Sequence, residues 1–269
     1  SMSQSELRGN RALAGGGVYL TLNPTMQLSI DESVFDDNTA IDAGGGAICA
    51  LGGPSCAGSP CVFNVDRSQF HDNRAPKGEG GAILLEKADS RISRSKFSGS
   101  AMSSQEGLSC KEVRQREAMG LLASGQSSQV ECGKRRLNAR SGGAIAAKSS
   151  QSELVMVGCT LTDLLAEFGA GIFLDKAASA FLEACSFNTS EAKFGGALEL
   201  VQDSKLLANA TTFANNMATV GGGAIHMERS TATLEDCLSK NNFANSQGGA
   251  IYAGKRSLLQ GHRNVYFEN

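Results

Sequence analysis

The sequence predicts an all-β chain: a right-handed single-stranded parallel β-helix of about eight coils, each of 26–27 residues, in one domain over 1–269. Three observations carry this. The tetrapeptide Gly-Gly-Ala-Ile recurs at 45–48, 80–83, 142–145, 222–225 and 248–251. Gly-Gly-Ala-Leu stands at 195–198, with looser copies at Gly16-Gly17-Val18-Tyr19 and Gly169-Ala170-Gly171-Ile172. A second motif, Phe-x-x-Asn, keeps the same beat at Phe35–Asn38, Phe70–Asn73 and Phe213–Asn216. Between the two lie short alternating runs such as Ala197-Leu198-Glu199-Leu200, bounded by Gly, Asn, Asp and Ser, which is how strands and turns read.

The period selects the architecture. A leucine-rich repeat has a similar length but needs a leucine ladder, which is absent, and helical repeats need about 33 residues or more and do not tolerate a glycine pair in every unit. A propeller blade needs about 40. One coil per repeat, stacked at about 4.8 Å, gives a rod roughly 40 Å long. In such a rod the glycines make a corner, by positive φ or by close passage of chain past chain. The residues Ile48, Ile83, Ile145, Ile172, Leu198, Ile225 and Ile251 form an internal aliphatic ladder. Phe35, Phe70, Phe97, Phe187 and Phe213 form an aromatic stack, and the motif Asn takes left-handed geometry and bonds to the next coil. Weaker copies of the second motif are read at Leu7–Asn10, Phe97–Ser100, Phe187–Ser190, Leu238–Asn241 and Tyr266–Asn269. Both motifs build the solenoid and neither is expected to do chemistry.

Composition agrees. Glycine is 32 of 269 residues, yet with only 4 prolines and no every-third-residue period the chain is not collagen-like. Recurrent Leu, Ile, Val and Phe with a net charge of -2 argue against disorder and give no case for nucleic-acid binding. No apolar run is long enough to insert in a membrane.

Gly-Gly-Ala-[Ile/Leu] alternating with Phe-x-x-Asn resembles the repeats of chlamydial polymorphic membrane proteins, from Leu7 to Asn269. The resemblance implies the surface-exposed passenger of an autotransporter, and hence adhesion: an extracellular or cell-surface location, with a protein or glycan of a cell surface or matrix as partner. The half-motifs at both ends, Leu7-x-x-Asn10 and Tyr266-x-x-Asn269, lead us to expect a fragment of a longer repeat protein.

Two intervals are longer than the period, which predicts insertions at 49–61 and 101–140. The first holds Cys49, Cys56 and Cys61 with Pro54 and Pro60. It reads as a corner loop closed by a disulfide, Cys56–Cys61 or Cys49–Cys61, because a zinc site would need a fourth ligand. The second holds Cys110 and Cys132, a plausible closing pair, and counting 101–141 gives seven Lys or Arg against four Glu. Its sharpest basic run, Lys134-Arg135-Arg136 with Arg140, is the predicted contact for an acidic partner or glycan, although a solvated loop is the simpler reading. Cys159 and Cys185 share a phase 26 residues apart and are expected to stack as buried thiols. Asn188 and Asn209 open N-glycosylation triplets.

Catalysis is not the favoured reading. Polysaccharide-active β-helices need clustered carboxylates, or Asp with Arg or Lys, on adjacent coils. Asp36, Asp37, His71, Asp72 and Arg74 are the residues that offer this, and Asp37 with Asp72, at matching phase on neighbouring coils, could meet a cation, but turn chemistry, in which Asp and Asn are expected anyway, is the favoured account. His226 and His262 read as outward surface residues. No cofactor, metal or phosphate-binding motif is present. The sequence therefore points to a binding module whose outer faces and loops meet a partner. The alternatives are a polysaccharide lyase, hydrolase or epimerase, and a passive spacer.

Overall fold

The computed structural model describes residues 1–26, 28–57, 61–99 and 139–269. They form a right-handed parallel β-solenoid of about eight turns. Each coil contributes one short strand to each of four faces. The first sheet runs from Met2–Ser3 to Leu258–His262 in nine strands, and the second from Glu6–Arg8 to Val265–Phe267 in nine. The third has six strands, Ala75–Glu79 to Phe243–Ala244, and is preceded by the pair Arg11–Ala12 and Thr39–Ala40. The fourth has eight, Val18–Leu22 to Ile251–Ala253.

Left-handed residues make the corners. In one coil Arg67 (φ 44°) precedes Ser68, Asp72 (φ 51°) precedes Asn73, and Gly80 (φ 64°) precedes Gly81. The residue just past each of the first two corners turns its side chain inward and bonds the coils together. Asn38 donates from Nδ2 to Oδ1 of Asn73 (2.9 Å), and that same oxygen accepts the main-chain N–H of Asn38 (3.1 Å). Asn216 and Asn242 repeat the pattern. At the other corner the N–H of Ser33 reaches the hydroxyl of Ser68, and that of Ser68 reaches Ser95. Buried polar groups are thus satisfied coil by coil.

Two details of the expected ladders change. The left-handed residue is the one before the ladder Asn (Asp37, φ 51°), because only the residue at the bend must leave the β region. The weak copy near 238 is shifted by one residue: Ser239 pairs with Phe213, and Asn242 joins the ladder. The aromatic stack forms in two runs. Phe35, Phe70 and Phe97 stack at 4.9 and 4.6 Å, and Phe187 stacks on Phe213 at 5.3 Å, with Leu161 between the runs. The aliphatic ladder forms in register as expected.

Both long intervals leave the coil register intact. Cys49 lies in the strand Ile48–Gly52, so the first loop begins after Gly52; Cys56 and Cys61 are joined by a disulfide (Cα–Cα 5.6 Å) and Cys49 is a free, buried thiol. Ala139 pairs directly with Ala75, and Leu161 with Phe97, so the helix closes across the second insertion. Arg140 belongs to the strand Ala139–Ser141. Lys134, Arg135, Arg136, Cys110 and Cys132 lie outside the described residues. Among the described residues no helix is long and apolar enough to cross a membrane.

Candidate functional site: a trough along the glycine corner

The strands that follow the glycine corner are apolar on both faces. Ile48, Ile83 and Ile145 point into the core. The residues next to them, Cys49, Leu84 and Ala146, point outward, where a solvated strand would carry polar side chains. Register extends this outward row through Phe173 and Glu199 to His226. All six are at most 8 % exposed.

Geometry at the corner buries them. The left-handed glycine turns the chain sharply, and the second glycine lets the third sheet pass close to the next coil: a Cβ on Gly46 would overlap the carbonyl of Gly81. The third and fourth sheets therefore meet as the sides of a trough parallel to the rod axis. One side carries Glu79, Ser141, Phe168, Phe194 and Gly221 in register. The other carries Leu51, Glu86, Lys148 and Asp175. Two clefts open along it. The larger, about 520 Å³, is lined by Arg140, Phe173, Val201 and Arg229 among others. The smaller, about 250 Å³, is lined by Phe194, His226, Gln247 and Tyr252. Glu199 and Glu228 line both.

The trough changes character along its length. Near Lys148 its charges are matched: Nζ stands 2.8 Å from Glu79 and 4.0 Å from Asp175. Beyond Phe173 the floor becomes a buried acid and a buried imidazole. Nδ1 of His226 is 3.3 Å from Oε1 of Glu199, but the two are not aligned as a hydrogen bond, and among the described residues neither Oε2 of Glu199 nor Nδ1 of His226 has a hydrogen-bond partner. Burial pushes the Glu199 carboxyl above the usual carboxylate range; His226 opposes this in part, while Glu228 and Asp175 add to it. The His226 ring is stacked on Tyr252 (4.9 Å, 9°) and tilted against Phe194 (4.9 Å, 53°). Phe168 and Phe194 stack at 5.8 Å.

Of the residues singled out in the sequence, Arg140 lines the larger cleft, with its Nε 3.6 Å from Glu167. His226 corrects an expectation: it points outward but is buried in the trough floor. His262 is exposed, against Arg263. Asp36, Asp37, His71, Asp72 and Arg74 do come together, but at an outer corner away from the trough. There they pair with one another: His71 with Asp36 at 2.9 Å, and Arg74 with Asp37 at 3.2 Å. Asp37 and Asp72 are both left-handed, the turn role that competed with catalysis. No cluster of three His, Cys, Asp or Glu placed to hold a metal occurs among the described residues. Cys159 and Cys185 are buried free thiols on the inward corner position; the neighbouring Cys185 thiol and burial push the Cys159 thiol up. Asn188 accepts a bond from Asn215, and the hydroxyl residues of both glycosylation triplets, Ser190 and Thr211, are buried corner residues.

What the fold and trough define is a solenoid repeat protein with an external cleft. At three places, residues 32–51, 210–228 and 236–254, the chain is similar to the Chlamydia polymorphic membrane protein repeat. Each match runs from a second-sheet strand through the Asn and glycine corners into the fourth sheet. Comparison with curated proteins and with solved structures gave no match.

Proposed function

We propose that the chain is a non-catalytic recognition module at a cell surface, in which the coils are scaffold and the trough meets a protein or glycan of a host surface or matrix. One observation carries this: a row of outward residues from six successive coils is buried like a core in the trough, beside two clefts. The repeat family, a membrane protein of Chlamydia by description, supports the surface location. Both glycine and Phe-x-x-Asn motifs are consumed by corners and ladders, which leaves recognition to the trough and the insertion. Beads coated with the chain are expected to bind cultured epithelial cells. Two long side chains in the trough, Val201→Arg with Val220→Arg, should cut that binding about tenfold at unchanged melting temperature, whereas deleting 101–138 should not. The reverse pattern would move recognition to the insertion.

A second reading, a polysaccharide-active enzyme, is favoured by one feature, the carboxylates Glu79, Glu199 and Glu228 along one cleft. New reducing ends from acidic or neutral polysaccharides incubated with the chain, abolished by Glu199→Gln, would establish it in place of the first.

A further inference from the structure

The smaller cleft has features that a generic contact face does not require. Its charged groups among the described residues are Glu199 and Glu228, and the remainder is aromatic, aliphatic, imidazole or amide. Glu199 is 4 % exposed, and its Oε2 has no hydrogen-bond partner among the described residues. Its position in the floor row is occupied elsewhere by Cys49, Leu84, Ala146 and Phe173, so the coil geometry accepts an apolar side chain there. A carboxylate in such a place is costly unless a cation meets it. Glu228 packs its carboxylate over Gly254 and forms no ion pair among the described residues. Among the described residues, Arg140 pairs with Glu167 at 3.6 Å, Arg229 on the wall of the larger cleft forms no ion pair with Glu199 or Glu228, and His226 approaches only Oε1 of Glu199, at 3.3 Å. Lys148 is held by Glu79 and Asp175, and Lys193 lies over the Phe194 ring at 5.4 Å, which shows that this ring already takes a cation on its face.

We infer that the cleft between Phe194 and Tyr252 is a receptor slot for one arginine side chain of a partner protein. Its guanidinium lies against the aromatic wall and bonds to Glu199 and Glu228. A volume of about 250 Å³ is on the scale of one such side chain. A flat, weakly hydrated, fork-shaped cation suits two carboxylates beside ring faces better than an ammonium does. The polar groups are mostly acceptors, which match the five N–H donors of a guanidinium.

This assignment rests on the recognition reading above and names its ligand chemistry. The test is isothermal titration of the whole chain with the capped peptide acetyl-Gly-Arg-Gly-amide and with its citrulline analogue, which keeps the shape and removes the charge. The arginine peptide should bind at one saturable site with a Kd on the order of 0.1–1 mM, and the citrulline peptide at least about tenfold more weakly. Glu228→Gln, on the rim, should weaken the arginine peptide about tenfold without moving the melting temperature. Glu199→Gln should weaken it while the protein stays folded. Equal binding of the two peptides, no saturation up to about 10 mM, or unchanged binding by Glu228→Gln overturns the slot. If the Glu228→Gln chain fails to bind arginine yet wild type also shows no citrulline discrimination, the slot is likewise wrong. Cell binding by coated beads, run on the same preparations, separates the two levels. Retained cell binding with no arginine binding sinks the slot alone, and loss of cell binding by the wild-type chain sinks the recognition reading.

Discussion

Two pairs of buried polar side chains stand at the same coil-to-coil spacing, one inside the rod and one outside it. Inside, Asn216 donates to Phe187 O and to Oδ1 of Asn242, and its own Oδ1 accepts the N–H of Ser190. Outside, Glu199 and His226 sit in register on the trough floor, nearly as buried, with an oxygen and a nitrogen left without a hydrogen-bond partner among the described residues. The ladder is repeated in several coils and complete, whereas the acid–imidazole pair occurs once and is incomplete. Satisfied buried polarity holds coils in register, and unsatisfied buried polarity facing a cleft is what a ligand can complete.

The largest expected effect comes from attacking the corner that both regions share. In Gly196→Val the new Cβ would overlap the carbonyl of Gly223 and come within 2.7 Å of the Met217 main-chain nitrogen, atoms that cannot move aside without opening the coil stack. A destabilisation above about 4 kcal/mol is expected, seen as loss of a single cooperative thermal transition. A well-folded variant would mean that the trough walls are pliable and the corner does not set their angle.

Next comes the inner pair. Asn216→Ala orphans the Ser190 N–H and the Phe187 carbonyl in a site that water does not reach, and should cost about 2–4 kcal/mol by denaturant unfolding. A loss below about 0.5 kcal/mol would mean that the ladder decorates the coil and does not hold it, and the contrast with the trough would collapse.

How much of this was legible in the sequence follows from the same contrast. The Phe stack, the Ile ladder and the coil register were legible because each position is filled by the same residue type coil after coil. The one-residue slip near 238 occurred where Leu238 mimicked the ladder Phe while the inward position held Ser239. The trough was not legible as a motif, because its floor reads Cys49, Leu84, Ala146, Phe173, Glu199 and His226, with no shared chemistry. A signal was nonetheless present: Ile83-Leu84-Leu85 and Ile145-Ala146-Ala147 fail to alternate, which is how a strand buried on both faces reads. Aligned coil by coil, that column marks Glu199 and His226 as polar intruders in an apolar row. The unaligned reading left His226 on the surface. Phe168, Phe173 and Phe194 escaped notice because they fall outside the Phe-x-x-Asn beat.

The smallest expected effect has the opposite sign, and tests whether the outer pair is incomplete. Glu199 carries a carboxyl raised above its ordinary value of about 4.5 by burial. The unfolded chain then ionises this group at lower pH than the folded chain does, so its contribution to stability falls as pH rises from the unfolded value through the folded one and stays low above it. Glutamine is neutral at every pH and resembles the protonated acid. Glu199→Gln should therefore raise the melting temperature at pH 7 by roughly 2–4 °C for each kcal/mol of relieved penalty, and leave it unchanged near pH 4. The facing His226 reduces the gain, because it offsets part of the burial penalty on the carboxylate. A lower melting temperature for Glu199→Gln at pH 7 would show that the carboxylate already has a partner that completes it. The trough floor would then be one more structural ladder, and its opening no longer a place where a cation is missing.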